Sequence, residues 1–203
     1  LGRIGRSGIW VECPVATDLS FDSYAAAMSL VGVLADGVRT FDRLTGAQLV
    51  TYAGLLHGLD ADTVAERTTD LLRVMDLEDA GRKLVADYSA GMTKKVSLAA
   101  AMVHAPDLLV LDEPFEAVDP VSAANIRDIL HSYVERGGTV IVSSHVMDEA
   151  SRCDSLLLMR EGRLLTQLTP AELLQRTGAA TPDEAFLRII REQDTREAQG
   201  EPA

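Results

Sequence analysis

Cysteine is scarce: Cys13 and Cys153 are the only two in 203 residues. That excludes a disulfide framework, and their spacing matches no metal-ligand pattern, so ordinary thiols in a reducing compartment are expected. Long apolar runs are missing as well. The longest, Ala25–Ala35, contains Ser29 and Gly32 and falls far short of a membrane span. No charged segment leading into an apolar core opens the sequence, so no secretory signal is visible. Basic charge is in short supply. Nineteen Lys and Arg against 31 Asp and Glu leave a net charge of −12. Nucleic-acid partners need a basic footprint and are not expected, and direct contact with a lipid surface is disfavoured. The expectation is a soluble protein that reaches a membrane only through a partner.

What is present begins with Leu108–Pro114, LLVLDEP. A continuous apolar run of this length reads as a buried parallel strand. Adjacent acids at its carboxyl end lie where open α/β sheets bind ligands, which makes Asp112 and Glu113 candidates for Mg²⁺ and a phosphate ester. A second apolar run, Thr139–Ser143, is the neighbouring strand, and Pro120–Arg136 is the helix that crosses between them. Asp119 caps that helix, Pro120 takes its first position and Gly137-Gly138 ends it. Ser89 is placed to cap a helix running to His104.

Further elements follow from periodicity and turn chemistry. A helix is expected over Asp22–Ser29, then a short strand near Leu30–Leu34 and a loop over Ala35–Thr45. Thr45–His57 reads as a helix with Leu49, Tyr52, Leu55 and Leu56 facing inward. Thr63-Val64-Ala65-Glu66 fits a capping box, with Val64, Leu71, Leu72 and Met75 behind it at helical spacing. Val146–Arg152 is a short helix, and Ser155–Arg160 and Arg163–Gln167 flank Glu161-Gly162 as a hairpin. Thr169–Glu172 and Thr181–Glu184 open two more helices. From Asp194 the chain is charged and poor in apolar residues, so a disordered tail is expected. Alternation of strands and helices implies an α/β fold with a parallel, doubly wound sheet.

Four segments in order resemble the nucleotide-binding subunit of ATP-binding-cassette (ABC) transporters. Ser89-Ala90-Gly91-Met92 is similar to that family's LSGGQ signature, and Leu108–Glu113 to its Walker B strand with the catalytic glutamate. Ala117–Pro120 is similar to its D-loop, and His145, after Ser143-Ser144, to its switch histidine. The YSAGM and EPFEAVDP wordings look most like ATPases of multidrug and ABC-2-type exporters. The resemblance runs from about Asp22 to about Leu174. It implies a P-loop NTPase-like parallel sheet with helices on both faces and a helical subdomain, about residues 45–95, carrying the signature. The domain is expected over 22–177, with 1–21 unassigned and 178–203 a helix and tail.

The resemblance also implies roles. Asp112 would hold Mg²⁺, Glu113 would polarise the attacking water, and His145 would bond the γ-phosphate. Ser89, Ala90, Gly91 and Met92 would close over ATP held by a second cassette, and Asp119 would bridge to that partner. Asp36 falls where the family's Q-loop glutamine stands; it either repels triphosphate or helps hold Mg²⁺. The partners implied are a transmembrane permease subunit and the second cassette, at the cytoplasmic face of the membrane.

The phosphate-cradling pattern G-x-x-x-x-G-K-[ST] does not occur between Leu1 and Ala203, and no lysine precedes Lys83. Gly2–Gly8 is glycine-rich, but Ile9 and Trp10 follow where a hydroxyl and a helix belong. Family spacing places the phosphate loop roughly a dozen residues before Leu1. Together with the initial Leu, this suggests a truncated product. The leading expectation is an ATP-hydrolysing exporter subunit. The alternative is a non-hydrolysing cassette that docks on a transporter or an intact cassette and lends only its signature. A soluble cassette acting on ribosomes or chromosomes would need tandem cassettes or a long coiled coil, and the sequence has neither.

Overall fold

The computed structural model describes residues 27–35 and 43–198. Asp36, Cys13, the 1–21 segment and most of the expected Asp22–Ser29 helix lie outside those residues. The chain divides after Ser143 into two compact units.

The larger unit, which ends at Ser143, holds a parallel sheet of β1 (Val31–Leu34), β2 (Leu108–Asp112) and β3 (Thr139–Ser143), in the order β1-β2-β3. In register, Val31 pairs with Leu108, and Leu108 with Thr139. β2 is therefore hydrogen-bonded on both edges. Successive side chains on a strand point to opposite faces. Leu109 and Leu111 are wholly buried on one face, whereas Leu108 and Val110 on the other are half-buried. The apolar run is thus sealed on one face and only partly covered on the other. Asp112, the last residue of the strand, is exposed.

The α-helices of this unit among the described residues include α1 (Gly46–Leu56), α2 (Ala61–Val74), α3 (Ala90–Met102) and α4 (Pro120–Glu135). Thr45 and Gln48 form a reciprocal capping box on α1. The inward face of α1 differs from expectation. Leu49, Val50 and Gly54 are buried, while Tyr52, Leu55 and Leu56 are exposed. Gly46, Val50 and Gly54 recur at i, i+4 and i+8, so small residues set the contact face and displace the larger apolar ones to the outside. A Cβ on Gly54 would stand 2.9 Å from Val64 and 3.2 Å from Val103, so α1 approaches α2 and α3 through that glycine.

The start of α2 also differs. Asp60 is the cap, its carboxylate accepting from the Thr63 backbone at 2.9 Å and the Thr63 hydroxyl at 2.6 Å, so the helix begins ahead of the expected Thr63 box. Those bonds hold the Asp60 carboxyl below its ordinary range. Val64, Leu72 and Met75 are buried as their spacing requires.

The second unit, described over 144–198, has its own small core of Met147, Leu156, Leu158, Leu173, Ala185 and Ile189. It contains α5 (Met147–Ala150), the antiparallel hairpin β4 (Leu156–Arg160) and β5 (Arg163–Leu168), α6 (Pro170–Thr177) and α7 (Pro182–Ala198). The Thr169–Glu172 capping box forms as expected. The charged segment from Asp194, expected to be disordered, instead continues α7 to Ala198. Asp194 pairs with Arg160 at 2.5 Å and Glu192 with Arg176 at 3.4 Å. Such exposed pairs contribute little each, but they tie a polar helix to its neighbours. Among the described residues, no helix is long and apolar enough to cross a membrane.

At the far end of α3, His104 and His57 stack with ring centroids 3.6 Å apart. His104 Nε2 lies 3.2 Å from the Val31 carbonyl, and its Nδ1 is buried without a hydrogen-bond partner. Burial pushes the His104 pKa down, as do the charges of His57 and Arg67, against a smaller upward pull from Val31. Protonation would place a donor on Nδ1 with nothing to accept it. A histidine depressed in the folded state stabilises the fold fully above its ordinary pKa of 6.5, and that stability is lost as pH falls below it. The urea midpoint should therefore drop between about pH 7.5 and about pH 5.5 in the parent. In His104→Phe that drop should be much smaller.

Candidate functional site

The carboxyl rim of the sheet carries the candidate chemistry. Asp112 pairs in register with Ser143, whose hydroxyl donates to the Asp112 carboxylate. The next residue, Glu113, turns sharply: its φ is 44°, and its backbone N–H donates to the Ser143 carbonyl at 3.1 Å. Its own carbonyl accepts from the Glu116 N–H at 3.2 Å and from the Lys94 ammonium at 2.8 Å. Ala117, at φ 57°, makes a second positive-φ turn before Asp119 caps α4. The rim is thus a tight loop anchored to β3 on one side and to α3 on the other.

The signature segment lies at the start of α3. Ser89 is the cap, its hydroxyl accepting from the Met92 N–H at 3.2 Å. Ala90 is the first helical residue and lacks a positive φ, so its Cβ adds no backbone strain where the family pattern has glycine. Gly91 is buried, and a Cβ there would stand 2.8 Å from Ser122 Oγ and 3.1 Å from Asp119 Oδ2. The absence of a side chain lets the amino ends of α3 and α4 abut. The Met92 side chain packs partly against the unit's core.

Two helix amino ends brought together concentrate unpaired N–H groups and positive dipole, which favours anions. Asp119 sits there as a resident anion, accepting from the N–H groups of Val121 at 3.1 Å and Ser122 at 3.0 Å. Those bonds, chiefly the one from Ser122, hold its carboxyl below the ordinary carboxylate range.

Of the sequence-predicted residues, Asp112 and Glu113 stand together at the end of β2, and Gly91 and Asp119 stand together at the α3–α4 contact. His145 is exposed and lies in the second unit, two residues along the chain from Ser143. It leads into a turn in which Ser144 donates to Glu149 at 2.8 Å. Ser143 and Lys94 are polar partners at the rim that no motif pointed out. Ser143 could have been found by aligning the ends of the two predicted parallel strands; Lys94 carries no comparable signal.

Among the described residues, no cluster of three or more His, Cys, Asp or Glu side chains could hold a metal. A single carboxylate, Asp112, with a hydroxyl beside it fits Mg²⁺, which binds one or two carboxylates plus substrate phosphates rather than an all-protein cage.

Gly91→Ala tests the α3–α4 contact. Its Cβ must move Ser122 or separate the helix ends, so stability should fall by about 1–3 kcal/mol in denaturant unfolding despite alanine's better helix propensity. Adding Ser122→Gly should recover part of the loss.

The model of the ABC transporter family matches residues 12–116, a span that begins ten residues before Asp22 and includes the signature segment, Asp112 and Glu113. A daunorubicin resistance ATP-binding protein of Streptomyces coeruleorubidus is 34% identical over 178 residues, covering 87% of this chain and 54% of that protein. A linearmycin resistance ATP-binding protein of Bacillus subtilis is 28% identical, covering 82% of this chain and 57% of that protein. The chain therefore spans little more than half the length of these relatives. A solved structure described as the ATP-binding subunit of an ABC transporter superposes with a TM-score of 0.74 at 24% identity, over 83% of this chain and 72% of that one. This likeness gives the fold, an α/β cassette with a parallel sheet, and the family match gives the kinship: the chain belongs to the ABC transporter family.

Proposed function

We propose that this chain is the ATP-binding and ATP-hydrolysing part of an exporter for a drug-like or lipophilic solute. The observation that carries the reading is the placement of Asp112 and Glu113 at the carboxyl end of the doubly paired strand β2. The names of the bacterial relatives, which concern resistance to daunorubicin and linearmycin, support the solute class. A transmembrane permease and a second cassette would be its partners, and its place of work the cytoplasmic face of the membrane. The ATP-binding domain would occupy about residues 22–177.

Phosphoryl transfer is mostly positioning and charge stabilisation. In this reading Asp112 holds Mg²⁺, with the Ser143 hydroxyl fixing the carboxylate's orientation. Mg²⁺, when bound, neutralises charge on the β- and γ-phosphates. Glu113 orients the attacking water and accepts its proton at a carboxylate oxygen. His145 hydrogen-bonds the γ-phosphate, and Asp36, at the family's Q-loop position, either repels the triphosphate or helps hold Mg²⁺. The amino end of α3, from Ser89 through Met92, offers N–H groups to the ATP of the partner cassette, and Asp119 bridges to that cassette.

The second reading is a non-hydrolysing cassette that docks on a transporter or an intact cassette and supplies only its signature; it draws on the α3–α4 contact alone, where Ser89 caps α3 and Gly91 meets Asp119. The two readings separate in the assembled transporter. Under the first, Glu113→Gln lowers kcat by about 10²–10⁴-fold while nucleotide affinity is kept, the range for loss of a positioned base. Under the second, Glu113→Gln leaves turnover unchanged, and only Ser89→Ala lowers it.

A further inference from the structure

Glu113 is held in a conformation that its own sequence opposes. A non-glycine residue at a φ of 44° is uncommon, and glutamate has none of the local hydrogen bonding that lets Asn or Asp visit that region. Pro114 follows, and a residue before proline is driven toward extended backbone. The fully buried Pro114 cannot readily yield. Some contact must therefore fix the peptide that joins Glu113 to Pro114.

The carbonyl of that peptide receives two donors, the Glu116 N–H and the Lys94 ammonium. The first already gives it a partner on one of its two lone pairs. The ammonium comes from another element, five residues past the Ser89 cap of α3, on a lysine that is half-buried. A long flexible side chain loses much rotamer freedom when fixed in this way. Its bond is charge-assisted and therefore stronger than the one it supplements. What Lys94 adds to a carbonyl that already has a partner is restraint. The same helix begins with the signature residues and touches Asp119 through Gly91. A rigid helix thus joins the signature segment to the backbone of the candidate base.

We propose that Lys94 is a positioning residue that clamps the main chain of Glu113 from the signature helix and so sets where the Glu113 carboxylate points. The catalytic half of this proposal rests on Glu113 acting as the water-orienting base; the mechanical half does not.

Amide hydrogen exchange by NMR on the full chain reads the clamp directly. In Lys94→Met, the Glu113 and Glu116 amides should exchange at least about tenfold faster, while the amides of β2 and the middle of α3 keep their protection. Lys94→Arg, which can still donate, should restore slow exchange. In a Glu113→Gly background, where a positive φ needs no support, Lys94→Met should change the Glu116 amide little. Unchanged exchange in Lys94→Met, or an equal effect in both backgrounds, overturns the clamp. Uniform loss of protection through α3 and β2 also overturns it, since that marks a merely structural lysine.

Turnover of the assembled transporter reads the catalytic half. Lys94→Met should lower kcat about tenfold or more with KM unchanged, and Lys94→Arg should recover it. Equal kcat in the parent and Lys94→Met overturns the positioning role. If Glu113→Gln also leaves turnover intact, the base assignment itself has failed, and the exchange measurements still judge the clamp separately.

Discussion

Pairing of β2 on both edges is the constraint on which the rim depends. A strand hydrogen-bonded to β1 and β3 cannot slip by one residue without turning Leu109 and Leu111 out of the core. Losing either buried leucine to alanine would cost about 2–5 kcal/mol, so the register is strongly specified. Register in turn puts Asp112 beside Ser143 and leaves Glu113 as the first residue past the ladder. The position of both acids is therefore a consequence of core packing several residues away. Chemistry at the rim inherits the rigidity of the sheet.

The second determinant is the set of small residues that let helices approach closely. Gly54 brings α1 against α2 and α3, and Gly91 brings the start of α3 against the start of α4. The latter contact has an electrostatic cost, because two positive helix ends face each other. Asp119 offsets it by placing a carboxylate on the N–H groups of α4 at the point of approach. Its capping role and its candidate role toward a partner use the same charge. Helix capping alone explains why an acid is there; it does not explain why Gly91 and Asp119 meet.

Much of this was legible in the sequence, for identifiable reasons. Strong local signals survived: Ser89 and Asp119 as caps, Pro120 at the first helical turn, the Glu161-Gly162 hairpin, and the two apolar strands with their crossover. Signals read by size failed. Tyr52, Leu55 and Leu56 are large and apolar, yet Gly46, Leu49, Val50 and Gly54 form the contact face of α1. Thr63–Glu66 has the wording of a capping box, but Asp60, three residues earlier, caps α2 with two bonds from Thr63. The composition from Asp194 onward signals disorder, but composition does not carry the ion pairs that Arg160 and Arg176 offer from other elements. At the rim, the acids were visible as a motif. Lys94 was not, because its partner is a carbonyl, and any residue in the chain supplies one.

The backbone of Glu113 bears on why a glutamate stands there at all. If the position served only to turn the chain after β2, glycine would adopt the same φ without penalty, and asparagine nearly so. A residue with a Cβ in this region costs about 1–2 kcal/mol, and the following proline adds to the conflict. Hydrogen bonds from Glu113 to Ser143, and to Glu113 from Glu116 and Lys94, all use backbone atoms that glycine would also supply. None of them rewards the carboxylate. The side chain is thus retained at a place where the main chain argues against it and where the main-chain contacts are indifferent to it. Strain of this kind persists when the surrounding structure over-determines it, and it clusters at functional sites. Under the proposed function, the work of this carboxylate at the end of a buried strand is to activate water against a phosphate.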